Sequence, residues 1–156
     1  IYFAGAIRAG RDNQEIYQQI IERLKEYGEV LTEHIGKKEL TTDGENLPEE
    51  KIFKRDMDYI QTADVLLAEI STPSLGVGYE IARAEQLGKK VFCLYQKFDD
   101  KHKISAMIKG NKNLLVKEYG DLPEARQFID EFFSLHHCEA ILRLLAQNDK
   151  RLDNSF

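Results

Sequence analysis

The chain has 156 residues, the length of one domain, and its 42% hydrophobic and 31% charged residues are ordinary for a globular protein. A formal net charge of -5 argues against a general groove for polymeric nucleic acid, although a small phosphate needs only a local positive site. No apolar run approaches the roughly 20 residues that cross a bilayer, so we expect no membrane partner and a cytoplasmic protein, nuclear as well in a eukaryote.

Short apolar runs alternate with helical patterns along the chain. The runs that predict buried strands lie at residues 1–4, 29–31, 64–70, 91–95 and 114–119. The patterns that predict helices lie at residues 13–27, 48–60, 78–87, 105–109 and from 123 onward, where 139–152 is another helix or a continuation. Residues 153–156 are expected to form a loose tail.

Strands that are continuous apolar runs, separated by helices, are typical of a parallel sheet covered on both faces. The chain contains no internal repeat, linker or low-complexity tract. The sequence therefore predicts a single α/β domain over residues 1–152. Its fold is doubly wound, Rossmann-like or flavodoxin-like, with a five-stranded parallel sheet and helices on both faces.

In such folds, ligands bind outside the carboxyl ends of the strands. Three polar clusters follow predicted strands: GAIRAGR after the first, TEH after the second and STPSLGVGYE after the third. Because parallel strands end at the same edge of a sheet, we expect these clusters to converge there.

The stretch PSLGVGYE differs from the common phosphate-binding motifs. No Gly-Lys-Ser/Thr follows, as a Walker loop requires, and G-x-G-x-x-G fails after Gly78. Gly76 and Gly78 let the backbone approach a ligand, and Ser74 adds a hydroxyl. We place Glu80 in the first turn of a helix, where the dipole favours its ionised form. Glu80 is then either a nucleophile at the ligand site or a residue that only favours the helix start.

Other carboxylates lie between residues 56 and 69. Asp56 is four residues from Ile60 and therefore shares the face of an inward-looking residue. Asp58 is expected to face water. Glu69 ends the third predicted strand and is the chief competitor to Glu80 as the reactive carboxylate.

The stretches IYFAGAIRAGR, VLTEH, RDMDYIQTADVLLAEISTPSLGVGYEIARA and ISAMIKG resemble the 2′-deoxynucleoside 5′-phosphate N-hydrolases of the nucleoside 2-deoxyribosyltransferase superfamily. The resemblance runs from residue 1 to about residue 110, and PSLGVGYE with SAMI is its most specific part. It implies hydrolysis of the N-glycosidic bond of a deoxynucleoside monophosphate, which gives a free base and 2-deoxyribose 5-phosphate without a metal or a cofactor.

The resemblance also implies roles for single residues. Glu80 matches the nucleophile that forms a covalent glycosyl-enzyme intermediate, Tyr2 the tyrosine that orients it, and Asp56 the acid that assists departure of the base. The positions that match the phosphate site are Arg8, Ser74 and Gly76. Ser105 matches a serine that reaches the phosphate from the neighbouring subunit, which implies a homodimer. The remaining candidates for substrate contact are Gly5, Ile7, Gly10, His34 and Met107. For His34 a surface position without contact is an equal alternative, and for Met107 packing in the core or an interface is.

One position departs from the family pattern. The first loop of the family commonly reads Gly-Ser-Ile-Arg, whereas this chain has Gly5-Ala6-Ile7-Arg8. A missing hydroxyl donor to a phosphate costs about 1.5–3 kcal/mol if nothing replaces it. We therefore expect weaker dependence on the phosphate, or compensation by Arg8, Arg11 or a water molecule.

Three alternative functions share these residues. In deoxyribosyl transfer, an acceptor base instead of water resolves the intermediate; a ribonucleotide hydrolase accepts a 2′-hydroxyl; and a nucleotide sensor binds without turnover.

The run His136-His137-Cys138 looks superficially like a metal site, but neighbouring helical residues point in different directions. The only other cysteine, Cys93, is distant in sequence, so we expect no metal and no disulfide framework.

Overall fold

The computed structural model describes residues 1–10, 13–98 and 103–135. Its centre is a parallel sheet of four strands, which lie side by side in chain order. The strands are β1 (Tyr2–Ala4), β2 (Val65–Glu69), β3 (Lys90–Gln96) and β4 (Leu115–Tyr119). All three pairings are parallel. The α/β class and the parallel sheet are therefore confirmed.

The helices pack on both faces of this sheet. Side chains alternate along each strand, so Phe3 and Leu67 belong to one core cluster and Tyr2 and Leu66 to the other. The first cluster is completed by α1 (Gln14–Leu24) and by a helix over residues 122–135, which we call α5. The second is completed by α2 (Glu49–Thr62) and α3 (Leu75–Gln86). A short helix, α4 (Ala106–Lys109), precedes β4.

The prediction of a fifth strand at residues 29–31 is wrong for the described residues. This segment lies beside β1 and makes two backbone hydrogen bonds with Ile1, from Ile1 N to Glu29 O at 2.7 Å and from Leu31 N to Ile1 O at 2.9 Å. The next rung is replaced by a side chain, because Thr32 Oγ1 accepts from Phe3 N at 2.9 Å and donates to Phe3 O at 2.7 Å. A 3₁₀ helix, Glu33–Gly36, follows at once. The side-chain substitution ends the ladder before a strand forms.

Helix α3 begins three residues earlier than predicted. Ser74 is its N-cap, with an extended backbone and a side chain that accepts from Val77 N. Glu80 is therefore in the second turn of the helix, and the expectation that the first-turn dipole favours its ionised form is wrong. The two glycines of the motif, Gly76 and Gly78, are inside the helix.

Several expectations reach beyond the described residues. The helix or continuation at 139–152, the tail at 153–156, the run 136–138 and Arg11 all lie outside them. A single domain over residues 1–152 therefore stays a prediction. Within the described ranges, no helix is long and apolar enough to cross a membrane, and Cys93 is buried and unpaired.

Candidate active site

A cavity of about 720 Å³ opens at the carboxyl ends of β1 and β2. Three segments line it: the loop after β1, the loop and first two turns of α2, and the loop and first two turns of α3. Seven of the residues predicted from sequence are among those lining it: Gly5, Ile7, Arg8, Asp56, Ser74, Gly76 and Glu80. Two of the three polar segments that sequence order places at one sheet edge, those after β1 and β2, line this cavity. The TEH segment does not, and Glu45 and α2 form the remaining side.

Tyr2 and Glu80 form a hydrogen-bonded pair at this cavity. The Tyr2 hydroxyl donates to Glu80 Oε1 at 2.9 Å. Tyr2 is on the β1 face that packs under α3, which is why a residue in the second turn of α3 reaches it. The pKa of Glu80 is raised to about 7. Burial is the main cause and the charge of Asp56 adds to it, while the hydrogen bond from Tyr2 acts to lower the pKa. Glu80 is thus poised to change protonation near neutral pH.

Asp56 is held beside an arginine on the opposite wall of the cavity. Arg55 donates from Nε and Nη2 to Asp56 Oδ1, at 2.9 and 2.8 Å. Burial raises the pKa of Asp56, while the hydrogen bonds and charge of Arg55 act to lower it. Because its charge is felt by Glu80, this carboxyl group forms an electrostatically coupled pair with Glu80.

Arg55 and Glu45 are site residues that the sequence analysis missed. Arg55 donates from Nη1 and Nη2 to the two carboxylate oxygens of Glu45, at 2.5 and 2.7 Å. The Glu45 carboxylate is also 3.4 Å from His34 Nε2. Burial lowers the pKa of His34, and Glu45 acts to raise it. The sequence could have indicated Arg55, because it directly precedes the candidate acid Asp56. Glu45 lies in a polar loop, where no sequence pattern indicates a site residue.

The loops after β1 and β2 form one end of the cavity, where Arg8, Ser74 and Gly76 lie. Arg8 is exposed, and its Nη1 is 3.1 Å from Glu49 Oε1. Ser74 Oγ accepts from Val77 N at 3.4 Å. Ala6 does not line the cavity: it is fully buried, and its N–H donates to the Tyr17 hydroxyl at 3.2 Å.

Ser105 and Met107 lie elsewhere in the same chain. Both are exposed, Met107 to 82%, and both line a second cavity of about 580 Å³. This cavity shares Ser74 and Leu75 with the first, on the other side of the loop between β2 and α3. The fold of one chain thus does not bring Ser105 to Glu80. Gly10 and His34 also do not line the first cavity.

Glu69, the alternative reactive carboxylate, is on the opposite face of the sheet. The register pairs it with Leu94, which belongs to the core cluster of α1 and α5. Its side chain is fully buried and lines neither of the two cavities described above. Of the two candidate carboxylates, Glu69 on β2 and Glu80 on α3, only Glu80 lines the first cavity. Asp58 is exposed and bonded to Lys54, as expected.

Among the described residues, no three His, Cys, Asp or Glu side chains form a group that would hold a metal ion. Polar groups that face the cavity are carboxylates, one arginine and one serine. This set suits acid–base and nucleophilic chemistry on an organic substrate with an anionic handle.

Comparison with known proteins gives the family. The model of the nucleoside 2-deoxyribosyltransferase family matches residues 1–124. The chain is 41% identical to the 5-hydroxymethyl-dUMP N-hydrolase of Tetraodon nigroviridis over 86% of this chain and 96% of the relative. It is 40% identical to the rat (Rattus norvegicus) protein of that name over 87% and 85%.

A solved structure, that of the CMP N-glycosidase BcmB from Clostridium botulinum, is similar in fold, with a TM-score of 0.58. It covers 85% of this chain and 99% of its own, at 20% identity, and so supports the fold alone. The sequence matches go further than the fold, because they span the strands and loops around the cavity. This chain belongs to the nucleoside 2-deoxyribosyltransferase family.

Proposed function

We propose that the protein hydrolyses the N-glycosidic bond of deoxynucleoside 5′-monophosphates, giving a free base and 2-deoxyribose 5-phosphate. The observation that carries the proposal is that Glu80, hydrogen-bonded to the buried Tyr2, lines the same cavity as the half-buried acid Asp56. Relatives about 40% identical are named as N-hydrolases of a deoxynucleoside monophosphate.

The proposed reaction needs one nucleophile and one acid. The bond from C1′ to the base nitrogen breaks through an oxocarbenium-like state, and its electron pair leaves with the base. Asp56 donates a proton to the departing base, and a Glu80 carboxylate oxygen bonds to C1′. Water then attacks C1′, gives its proton to Asp56 and releases Glu80. Both carboxyl groups return to their starting states.

The protonation states suit these roles. With a pKa near 7, a substantial fraction of Glu80 is an ionised nucleophile at neutral pH. Burial favours the protonated form of Asp56, which the acid role requires. The Tyr2 hydroxyl stabilises the carboxylate form of Glu80 and points it toward the cavity.

The substrate phosphate is assigned to the end formed by Arg8, Ser74 and the backbone at Gly76. Arg8 would exchange Glu49 for the phosphate, an exchange that costs little because both side chains of this ion pair are exposed. Binding energy from this remote group orients the sugar for attack by Glu80. Gly5, Ile7 and the neighbouring Gly10 shape the loop on the same side.

We further propose a homodimer in which Ser105 and Met107 of one subunit complete the other subunit's site. The support is the exposure of Leu75 to 97% and of Met107 to 82%, both beside the second cavity. Exposed apolar side chains of this size in a contiguous region mark an association surface. The cytoplasmic and nuclear location stays a prediction.

Base release from a panel of purine and pyrimidine deoxynucleotides tests the function, each with and without the 5′-phosphate and the 2′-hydroxyl. The panel includes 5-hydroxymethyl-dUMP, the substrate that the relatives' names specify. We expect deoxynucleotides to be hydrolysed and ribonucleotides to react more slowly. A mixed nucleoside formed when a different free base is added would instead establish base exchange.

Glu80→Ala should lower the rate of base release by about a thousandfold or more, because nucleophile and charge are both lost. Asp58→Ala, which removes an exposed carboxylate from α2, is the matched control and should keep wild-type activity. Loss of activity in Glu69→Ala together with full activity in Glu80→Ala would refute the assignment. Binding of nucleotide without any base release would identify a sensor.

A further inference from the structure

The buried carboxylate of Glu69 is the centre of a hydrogen-bonded cluster on the α1/α5 face. We call it the Glu69 cluster, and it contains Asn13, Glu69, Ser71 and Tyr119. Oε1 of Glu69 accepts from Ser71 Oγ and from the Tyr119 hydroxyl, the latter at 3.1 Å. Oε2 accepts from Asn13 Nδ2 and Ser71 N, both at 3.4 Å.

All four of these groups donate to Glu69. An ionised carboxylate, which only accepts, matches this arrangement, and its four bonds offset the cost of burying a charge. Burial raises the pKa of Glu69, and the bonds from Ser71, Tyr119 and Asn13 act to lower it. A neutral amide at this position would keep one acceptor oxygen, and its N–H groups would require the hydroxyls of Ser71 and Tyr119 to accept instead of donate, so the present arrangement favours a carboxylate.

The Glu69 cluster joins the two loops at the Arg8–Ser74 end of the cavity. Asn13 ends the segment that follows β1 and contains Arg8, and Ser71 begins the segment that leads from β2 to Ser74. Ser71 Oγ also accepts from Gln96 N at 2.6 Å, which attaches the same loop to the end of β3. The Glu69 cluster thus connects the ends of β2, β3 and β4 to the start of α1.

The two loops also approach each other at Gly10 and Thr72. Gly10 has a φ of +138°, a conformation that other residues rarely adopt, and a side-chain carbon there would lie 3.7 Å from Thr72 Cγ2. The relative position of the loops therefore depends on the hydrogen bonds of the Glu69 cluster. A shift of either loop moves Arg8 relative to Ser74 and Gly76.

We propose that Glu69 is a positioning residue that sets the spacing of the two phosphate-binding loops through Asn13 and Ser71. It lines neither of the two cavities described above, so it acts only through the loops. This inference rests on the proposed function, because it assumes that the 5′-phosphate binds between Arg8 and Ser74.

The test is Glu69→Gln in the full chain, assayed on one deoxynucleotide and on the corresponding nucleoside without phosphate. We expect kcat/KM for the nucleotide to fall about 10- to 100-fold, mainly through KM, because small displacements of binding groups have effects of this size. Hydrolysis of the nucleoside, which makes no phosphate contact, should change less than about threefold. Inhibition by inorganic phosphate should weaken in parallel.

The control is Asp130→Asn. Asp130 also joins α1 to α5, through bonds from Arg23 and Tyr27, but it is remote from the loops. Its loss should lower stability and leave the ratio of nucleotide to nucleoside kcat/KM unchanged. Should Glu69→Gln not fold, Asn13→Ala, which removes one donor to Glu69, must show a smaller change of the ratio in the same direction.

Equal losses for nucleotide and nucleoside in Glu69→Gln, or an unchanged KM, would overturn the positioning role and leave the proposed function standing. A wild-type protein that treats nucleotide and nucleoside alike, and is not inhibited by phosphate, would overturn both proposals. The two failures are therefore distinguishable in one data set.

Discussion

At the scale of single residues, the environment of Glu80 makes its carboxylate more reactive but lowers the stability of the folded protein. The Glu80 carboxylate is buried near Asp56, and this environment raises its pKa to about 7. The hydrogen bond from Tyr2 acts to lower the pKa. A nucleophile with reduced solvation is more reactive, but its charge is less favourable in the folded state. Both consequences can be measured.

The first consequence is a pH profile. Since Glu80 must be ionised to attack and Asp56 must be protonated to donate, kcat/KM should give a bell-shaped pH profile whose acid limb reports the ionisation of Glu80, near pH 7. Tyr2→Phe removes a bond that stabilises the ionised form, so the acid limb of the profile should move to higher pH by about one unit. Tyr27→Phe, which removes a hydroxyl that bonds to Asp130 and does not line the cavity, should leave the limb in place. An unshifted limb in Tyr2→Phe would show that this bond does not control Glu80.

The second consequence is a stability difference. The pKa of Glu80 is higher in the folded protein than the ordinary 4.5, so the folded state binds the proton more tightly and loses stability as pH rises from 4.5 to 7. Glu80→Gln, which does not ionise, should be more stable than wild type at pH 8, by at most about 3 kcal/mol. The difference should vanish near pH 4. Denaturant unfolding at both pH values measures it, and a variant less stable at pH 8 would contradict the burial argument.

At the scale of elements, the short 3₁₀ helix Glu33–Gly36 packs closely against α1. A side-chain carbon on Gly36 would lie 2.9 Å from Ile21 Cδ1 and 3.1 Å from the backbone Cα of Gln18. The helix that carries His34 therefore lies directly against α1. The absence of a side chain at residue 36 is therefore a packing requirement.

Gly36→Ala should destabilise the fold by about 1–3 kcal/mol, because the backbone of α1 cannot move away freely. The matched control is Gly28→Ala, whose added carbon would meet only Ile1 side-chain atoms at 3.9 Å or more. The control should change stability by less than about 0.5 kcal/mol. Urea denaturation of the three proteins gives the comparison, and equal stability of both variants would argue against tight packing at Gly36.

At the scale of the whole molecule, the proposed homodimer would share each site between two subunits. Within one chain, Ser105 lines a different cavity from Glu80. The dimer proposal therefore predicts that a subunit lacking Glu80 can still complete the site of its partner. Mixing two defective chains tests this directly.

Glu80→Ala chains and Ser105→Ala chains should each have low activity. After unfolding and refolding together, random pairing should restore roughly a quarter of the wild-type sites, since half of the dimers are mixed and each has one complete site. Base release before and after mixing measures this, with Glu80→Ala refolded with itself as the control. No recovery in a mixture that sediments as a dimer would refute site sharing.

The sequence by itself determined the fold class and the edge of the sheet that carries the site. Apolar runs of strand length separated by helical periodicity specify a covered parallel sheet, since the pattern reflects which faces are buried. Residue order then places the loops after β1 and β2 at one edge. The matches around Tyr2, Asp56 and Glu80 also select, from 27 acidic residues, two that line one cavity.

Only the tertiary structure decided the rest, because it depends on contacts between residues distant in sequence. The segment 29–31 has strand-like composition, yet Thr32 replaces the backbone rung and ends the ladder. Glu80 has a raised pKa because the packing of α3 buries it and places it near Asp56, not because of its place along a helix. Likewise, Glu69 and Glu80 are both plausible in sequence, and only the alternation of β2 directs Glu69 to the opposite face.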